Sequence, residues 1–288
     1  RRFGKSLLLD TIKEIFSGNK ELFKDCWVYD KWNWEKKYPV IKISFAEMNY
    51  REEGLKKALN FSLLQIADDH GIQLKTESYS AQFLELIRTL GKKTPVVVLI
   101  DEYDKPIIDY LEKSESKQAL ENREILKTFY AGLKDQNKYL RFFFLTGVSK
   151  FSRVSIFSDL NHLTDITIND KCAGIVGYSE AEIKSCYSHY LDLVAKKFSL
   201  PQQQLLQKIK EWYDGYSWDG LNFLYNPYSI LNLFYAEAFK NYWFETGTPT
   251  FLIKKLKETD YKLNQSINKQ LDEADFNKYD IENLNITA

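Results

Sequence analysis

Cysteine, histidine and net charge are all in short supply in this chain of 288 residues. The three cysteines, Cys26, Cys172 and Cys186, are odd in number and widely spaced, which argues against a disulfide framework. The three histidines, His70, His162 and His189, join them at no familiar zinc spacing. Buried thiols and surface imidazoles are therefore the expectation. Forty basic and forty acidic side chains cancel, so composition gives no support for a broad nucleic-acid footprint. Lysine pairs such as Lys36-Lys37, Lys56-Lys57 and Lys196-Lys197 stand among acids and read as solvated surface. No apolar stretch approaches the ~18 residues of a membrane-crossing helix, and no charged-then-apolar leader is visible. The expectation is a soluble, cytoplasmic protein without a membrane partner. There is no initiator Met either, and the chain is read as a fragment.

What is present is a core-forming composition and a set of ordered motifs. With 44% hydrophobic residues, the chain is long enough for two domains of ordinary size. Arg1-Arg2-Phe3-Gly4-Lys5-Ser6, running into Leu7-Leu8-Leu9, reads as the back half of a phosphate-binding loop leading into a helix. In the full pattern a glycine-containing turn aims backbone N–H groups at a phosphate chain, lysine reaches the terminal phosphates, and a hydroxyl ligates Mg²⁺. Gly4, Lys5 and Ser6 fill the last three positions. Alone, such a tripeptide usually marks an ordinary exposed helix start.

A second element raises its weight. Val96-Val97-Val98-Leu99-Ile100 is a short, continuous, mostly β-branched run, suited to a strand buried on both faces of a parallel sheet. It ends in Asp101-Glu102, and acids there sit at the carboxyl edge, where open α/β folds bind ligands. The division of labour follows from residue type. Lys5 supplies a point charge to the β- and γ-phosphates, Ser6 and Asp101 hold Mg²⁺ directly or through water, and Glu102 polarises the attacking water. Strand side chains alternate, so the chain must turn at Asp101-Glu102 for both acids to meet one ligand. The competing reading is a solvated acidic strand end.

Arg141-Phe142-Phe143-Phe144-Leu145-Thr146-Gly147 looks like the next buried strand. Thr146 would lie at the same edge, able to hydrogen-bond the γ-phosphate or the lytic water, although a threonine there is also a plain turn residue. Beyond it, Lys150 and Arg153 lie in a loop expected to return over that edge. Arg153 is a candidate cation for the developing γ-phosphate charge, in its own subunit or a neighbour's, with a surface arginine as the alternative.

Taken in order, Arg-Arg-Phe-Gly-Lys-Ser-Leu at the start, Ile-Asp-Glu-Tyr-Asp-Lys-Pro from Ile100 to Pro106, and Leu-Thr-Gly-Val-Ser-Lys from Leu145 to Lys150 resemble the bacterial AAA-ATPase-like proteins. Trp212-Tyr213-Asp214-Gly215-Tyr216, Tyr225-Asn226-Pro227-Tyr228-Ser229-Ile230-Leu231 and Thr246-Gly247-Thr248-Pro249-Thr250-Phe251-Leu252 match later landmarks of the same family. The resemblance implies an ATPase with an added strand between its two nucleotide motifs and a catalytic glutamate beside the Mg²⁺-binding aspartate. It also implies a phosphate loop cut by the start of the sequence and, often, a restriction-type nuclease domain further on. ATP is assigned from the resemblance alone, since no base-reading residue is identifiable. The only metal expected is nucleotide-bound Mg²⁺.

The expected fold is α/β: a P-loop NTPase parallel sheet flanked by helices, its first strand missing, followed by a mainly helical lid. The helix from Ser6 carries Leu8, Ile12 and Ile15 on one face and stops near Gly18-Asn19. Val40 to Phe45 alternates as a less buried strand. Helical patterns follow at Leu55, Leu59, Leu63 and Ile66, at Phe83, Ile87 and Leu90, and at Ile125, Phe129 and Leu133. The lost strand is expected in mid-sheet, leaving Val96–Ile100 short of a neighbour and the fragment poorly stable. Residues 1–170 form the ATPase core, 171–257 the lid and 258–288 a connector or the start of another module. Ser179 to Glu182 is a capping box for a helix to about Lys197, Pro201 opens the next, and Thr248-Pro249 another. The aromatics between Trp212 and Tyr228 read as a tight hairpin-like connection whose rings pack between lid and core, with stacking on unpaired bases as the alternative.

Three functions fit this reading. The first is Mg²⁺-dependent ATP binding and hydrolysis coupled to closure of the helical domain. Another is a nucleotide-gated interaction module that barely hydrolyses. The third is the motor part of a nuclease-fused protein that meets nucleic acid only through a downstream domain. A homo-oligomer is compatible with all three.

Overall fold

The structure is a computed structural model that describes residues 2–111, 114–148, 163–167 and 169–243. The chain divides into two compact units, and the division falls inside the first helix, after Leu8. One unit runs from residue 9 to 163 and carries the sheet; the other joins residues 2–8 to the helical segment from residue 164.

The sheet has three parallel strands in the order β1 (Val40–Ser44), β2 (Val96–Asp101), β3 (Leu140–Leu145). All six residues of β2 are buried, as its unbroken apolar run requires for a strand covered on both faces. Each step from strand to strand moves the same way across the sheet, so right-handed crossovers bring their helices to one face. There α3 (Leu55–Asp69), α4 (Tyr79–Gly91) and α6 (Ser116–Tyr130) share a core with Ile41, Ile43, Val96, Val98 and Ile100. Two single turns, α2 (Tyr50–Glu53) and α5 (Lys105–Ile108), complete that side. The alternate side chains Val97 and Leu99 point the other way, where α1 (Lys5–Ser17) lays Leu9 and Phe16 over them with Tyr38.

Four expectations are corrected here. Val96–Ile100 has a neighbour on each side, because β1 and β3 flank it. β1 and β3 each have an unpaired side among the described residues, and on β3 the expected burial gives way to exposure at Arg141 and Phe142, the latter 36% accessible. The buried face of α1 is Leu9, Ile12 and Phe16, one residue out of phase with the expected face. Cys26 and Cys186 are exposed and Cys172 half-buried, so the thiols are not core groups.

In the helical unit α7 (Glu180–Cys186), α8 (Ser188–Phe198), α9 (Gln202–Tyr213) and α10 (Pro227–Ala236) pack around Ile183, Leu191, Leu205, Ile209, Ile230 and Leu233. The capping box forms as read: Ser179 accepts from the Glu182 N–H while Glu182 accepts from the Ser179 N–H. The helix it opens breaks at Tyr187 instead of continuing, and the Tyr187 hydroxyl donates to that of Tyr178 at 2.9 Å. Asn226 caps α10 through its side-chain oxygen, with Pro227 at the first helical position. Thr248-Pro249 and residues 258–288 lie outside the described residues.

The segment between α9 and α10 is hairpin-like, with antiparallel bridges Tyr216–Leu224 and Tyr178–Tyr225. At its tip Asp219 accepts the backbone N–H groups of Leu221 and Asn222 and the Ser217 hydroxyl. These donors favour the carboxylate, and backbone donation from Asn222 and Leu221 leads in holding its pKa down at about 2.

Two outcomes check these packings. Leu59→Ala in the sheet core, where Leu59 is fully buried, is expected to destabilise that unit by about 2–5 kcal/mol in urea unfolding. Because the folded pKa of Asp219 lies below its ordinary value of 3.8, its contribution is complete above that value and disappears as pH falls through about 2. Acid titration by NMR should therefore leave the Leu221 and Asn222 amide shifts unchanged down to pH 3 and move them together below it.

Candidate functional site

The carboxyl ends of β2 and β3 are tied together beyond the strands. Thr146 N–H donates to Ile100 O at 2.8 Å and Tyr103 N–H donates to Thr146 O at 3.0 Å, so Thr146 is held on both sides by backbone. Its hydroxyl then donates to Asp101 Oδ1 at 2.5 Å. The same oxygen accepts the Glu102 N–H at 3.0 Å. Asp101 is only 4% exposed, and a carboxylate so placed needs donors to remain charged. The turn that the alternation argument demanded occurs at Glu102, which adopts a left-handed backbone with φ +50°. It ends the strand and leaves Glu102 half-buried while Asp101 is buried.

Two residues later the chain supplies a second buried acid. Asp104 is fully buried, and both its oxygens accept the Val148 N–H, at 3.1 and 2.9 Å. Gly147 lies between Thr146 and Val148, and a Cβ there would stand 2.5 Å from Tyr103 Cε1 and 2.9 Å from Asp104 Oδ1. Only glycine lets the strands' ends approach this closely. Further along, Pro106 O accepts from the buried Asn122 side chain at 2.7 Å. Asp109 pairs with Lys105 at 2.8 Å and accepts the Tyr50 hydroxyl at 2.7 Å. Burial first, and then this bond to Asp109, push the Tyr50 phenol well above its ordinary pKa.

In the helical unit, Gly4 has φ +90° and open space where a side chain would be. Leu8 N–H donates to Gly4 O at 2.8 Å, which places Lys5 and Ser6 in the first turn, where the helix dipole favours anions. The residues just ahead are anchored. Phe3 is buried with its ring edge-on to Tyr216 and Trp218 at 4.5 and 5.8 Å, its carbonyl accepts the Gly177 N–H at 3.3 Å, and the Arg2 guanidinium lies 4.6 Å over the Tyr228 ring.

The family model described as Predicted AAA-ATPase matches residues 1–157, more than half of the chain. This chain belongs to that family. It is also similar to an uncharacterized protein in the vnfD 5' region of Azotobacter chroococcum mcd 1, with 41% identity over 263 residues. That alignment covers 90% of this chain and 48% of the relative, so the chain spans about half the length of the curated relative it matches. No solved structure matches the chain.

For this AAA-ATPase-like chain, the fold agrees with expectation: α/β, with a parallel sheet flanked by helices. Asp101, Glu102 and Thr146 are brought together at one sheet edge. Gly4, Lys5 and Ser6 open α1 and are grouped with the helical unit. Arg153 lies outside the described residues. Sequence reasoning missed Asp104 and Phe3. The Asp-Glu-Tyr-Asp spacing was visible, but nothing in it announces that the second aspartate is buried against a backbone N–H. Among the described residues no group of three His, Cys, Asp or Glu side chains is placed to hold a metal, and no helix is long and apolar enough to cross a membrane. The helical unit has a cavity of about 420 Å³ walled by Trp212, Tyr213, Tyr216, Tyr242 and Trp243, with Asp214 its one charged lining residue among the described residues.

Thr146→Val keeps the shape and removes the donor to Asp101. It should destabilise the sheet unit by about 1–3 kcal/mol in denaturant unfolding, the usual loss for a buried hydrogen bond to a charged group.

Proposed function

We propose that this chain binds ATP and hydrolyses it with Mg²⁺, and that the cycle moves the helical unit as a lid. The observation that carries the reading is the convergence of the Thr146 hydroxyl and the Glu102 N–H on one oxygen of Asp101, at the carboxyl end of a fully buried parallel strand. Membership of a family described as Predicted AAA-ATPase supports it.

The residues fit the groups they would hold. Gly4 leaves unobstructed backbone at a helix start, the chemistry that suits phosphate oxygens. A single buried carboxylate suits Mg²⁺, which keeps several waters and takes one or two carboxylates besides phosphate oxygens. In this reading Lys5 places an ammonium on the terminal phosphates, and Ser6 and Asp101 hold the metal directly or through water. The bound metal neutralises charge that develops on the phosphates. Glu102, the more exposed acid of the pair, orients and polarises the attacking water. Thr146 holds Asp101 in register through its hydroxyl and reports the γ-phosphate when that proton is redirected. Arg153 is proposed as the added cation.

Lys5→Ala and Glu102→Gln in the full-length protein test the assignment. Lys5→Ala should weaken binding of a fluorescent ATP analogue about ten- to a hundredfold, as loss of a charge-assisted contact does. Glu102→Gln should keep binding and lower turnover on the order of 10² to 10⁴, trapping unhydrolysed ATP. Unchanged binding in Lys5→Ala overturns the phosphate assignment. ATP binding with no turnover for Glu102→Gln to remove would make the chain a nucleotide-gated interaction module.

A further inference from the structure

We infer that Asp104 is a positioning residue that sets where the Thr146 hydroxyl sits, an inference that rests on the ATP-hydrolysis reading above. Two carboxylates three residues apart, Asp101 and Asp104, grip the two ends of one tripeptide. Asp101 takes the Thr146 hydroxyl at 2.5 Å, and Asp104 takes the Val148 N–H with both oxygens. Between them Gly147 has no room for a side chain, since a Cβ would press on Tyr103 at 2.5 Å and on Asp104 Oδ1 at 2.9 Å. The tripeptide is thus fixed by the backbone hydrogen bonds of Thr146 to Ile100 and Tyr103 on one side and by Asp104 on the other.

A hydroxyl meant to choose between a carboxylate and a phosphate oxygen must be held within a fraction of an ångström, because misplacement of about 1 Å can cost 10²-fold in rate. Backbone pairing fixes Thr146 N and O but leaves the chain free to swing just after it. Asp104 removes that freedom. Its full burial means that the carboxylate is committed to this interior and is not a surface acid. No contact with nucleotide is required of it.

Asp104→Asn preserves shape but turns a donor toward the Val148 N–H. In the full-length protein, amide hydrogen exchange at Val148 and Thr146 should quicken, and kcat for ATP should fall about ten- to a hundredfold with KM within about twofold. In a Thr146→Val background the same substitution should cost kcat nothing further, because the group being positioned is gone. Gly147→Ala displaces the same turn with Asp104 intact and should reproduce the phenotype if Asp104→Asn fails to fold. Additive losses in the double variant, or a KM increase at constant kcat, overturn the positioning role. A wild-type protein without ATP turnover overturns the proposed function instead. In that event equal exchange at Val148 in wild type and Asp104→Asn also removes the grip itself.

Discussion

A carboxylate buried at the end of a strand has to be answered by donors, and the site takes its shape from that requirement. Asp101 closes β2, all of whose residues are buried, and its Oδ1 is answered by the Thr146 hydroxyl and the Glu102 N–H. The first donor draws the end of β3 against the end of β2. The second folds the chain back on itself immediately after the strand. Leaving such a group unanswered would cost several kcal/mol, so the two bonds are conditions of the fold as much as features of a site.

The turn that follows is built in the same way. Between Asp101 and Asp109 further polar groups have defined partners: Asp104 on Val148, Pro106 O on Asn122, Asp109 on Lys105 and Tyr50. These bonds attach the turn to β3, to α6 and to α2, three elements that reach it from different parts of the sequence. A short motif can therefore be rigid without being part of any long helix or strand. Under the proposed function, groups held on such a turn would keep their geometry at little reorganisation cost when the nucleotide binds.

Much of this was legible in the chain and some was not, for identifiable reasons. β2 announced itself because five β-branched or aliphatic residues in a row fit little else than a doubly covered strand. β3 had an equally apolar sequence, yet burial depends on what lies beside a strand, and Phe142 shows that composition does not encode its neighbours. The phase of α1 was misread because Leu7-Leu8-Leu9 offers three consecutive apolar residues, and only contact with Val97 and Leu99 selects Leu9. Asn226-Pro227 is both a turn signal and a helix start, and the structure uses it as the latter. Asp104 was silent because its partner is a backbone N–H more than forty residues away. The segment is hairpin-like, as its glycines and Asn-Pro suggested, but that it seats Phe3 is a long-range fact that no local pattern carries.

The backbone of Glu102 has a price of its own. A non-glycine residue at φ +50° is held against a preference of roughly 1 kcal/mol, which glycine would not oppose. If Glu102 carries the proposed chemistry, heat resistance and chemistry make opposite demands on one codon. A laboratory selection for thermal survival alone would drift this position toward glycine, whereas a selection that also needs an acid there would hold the strained residue in place.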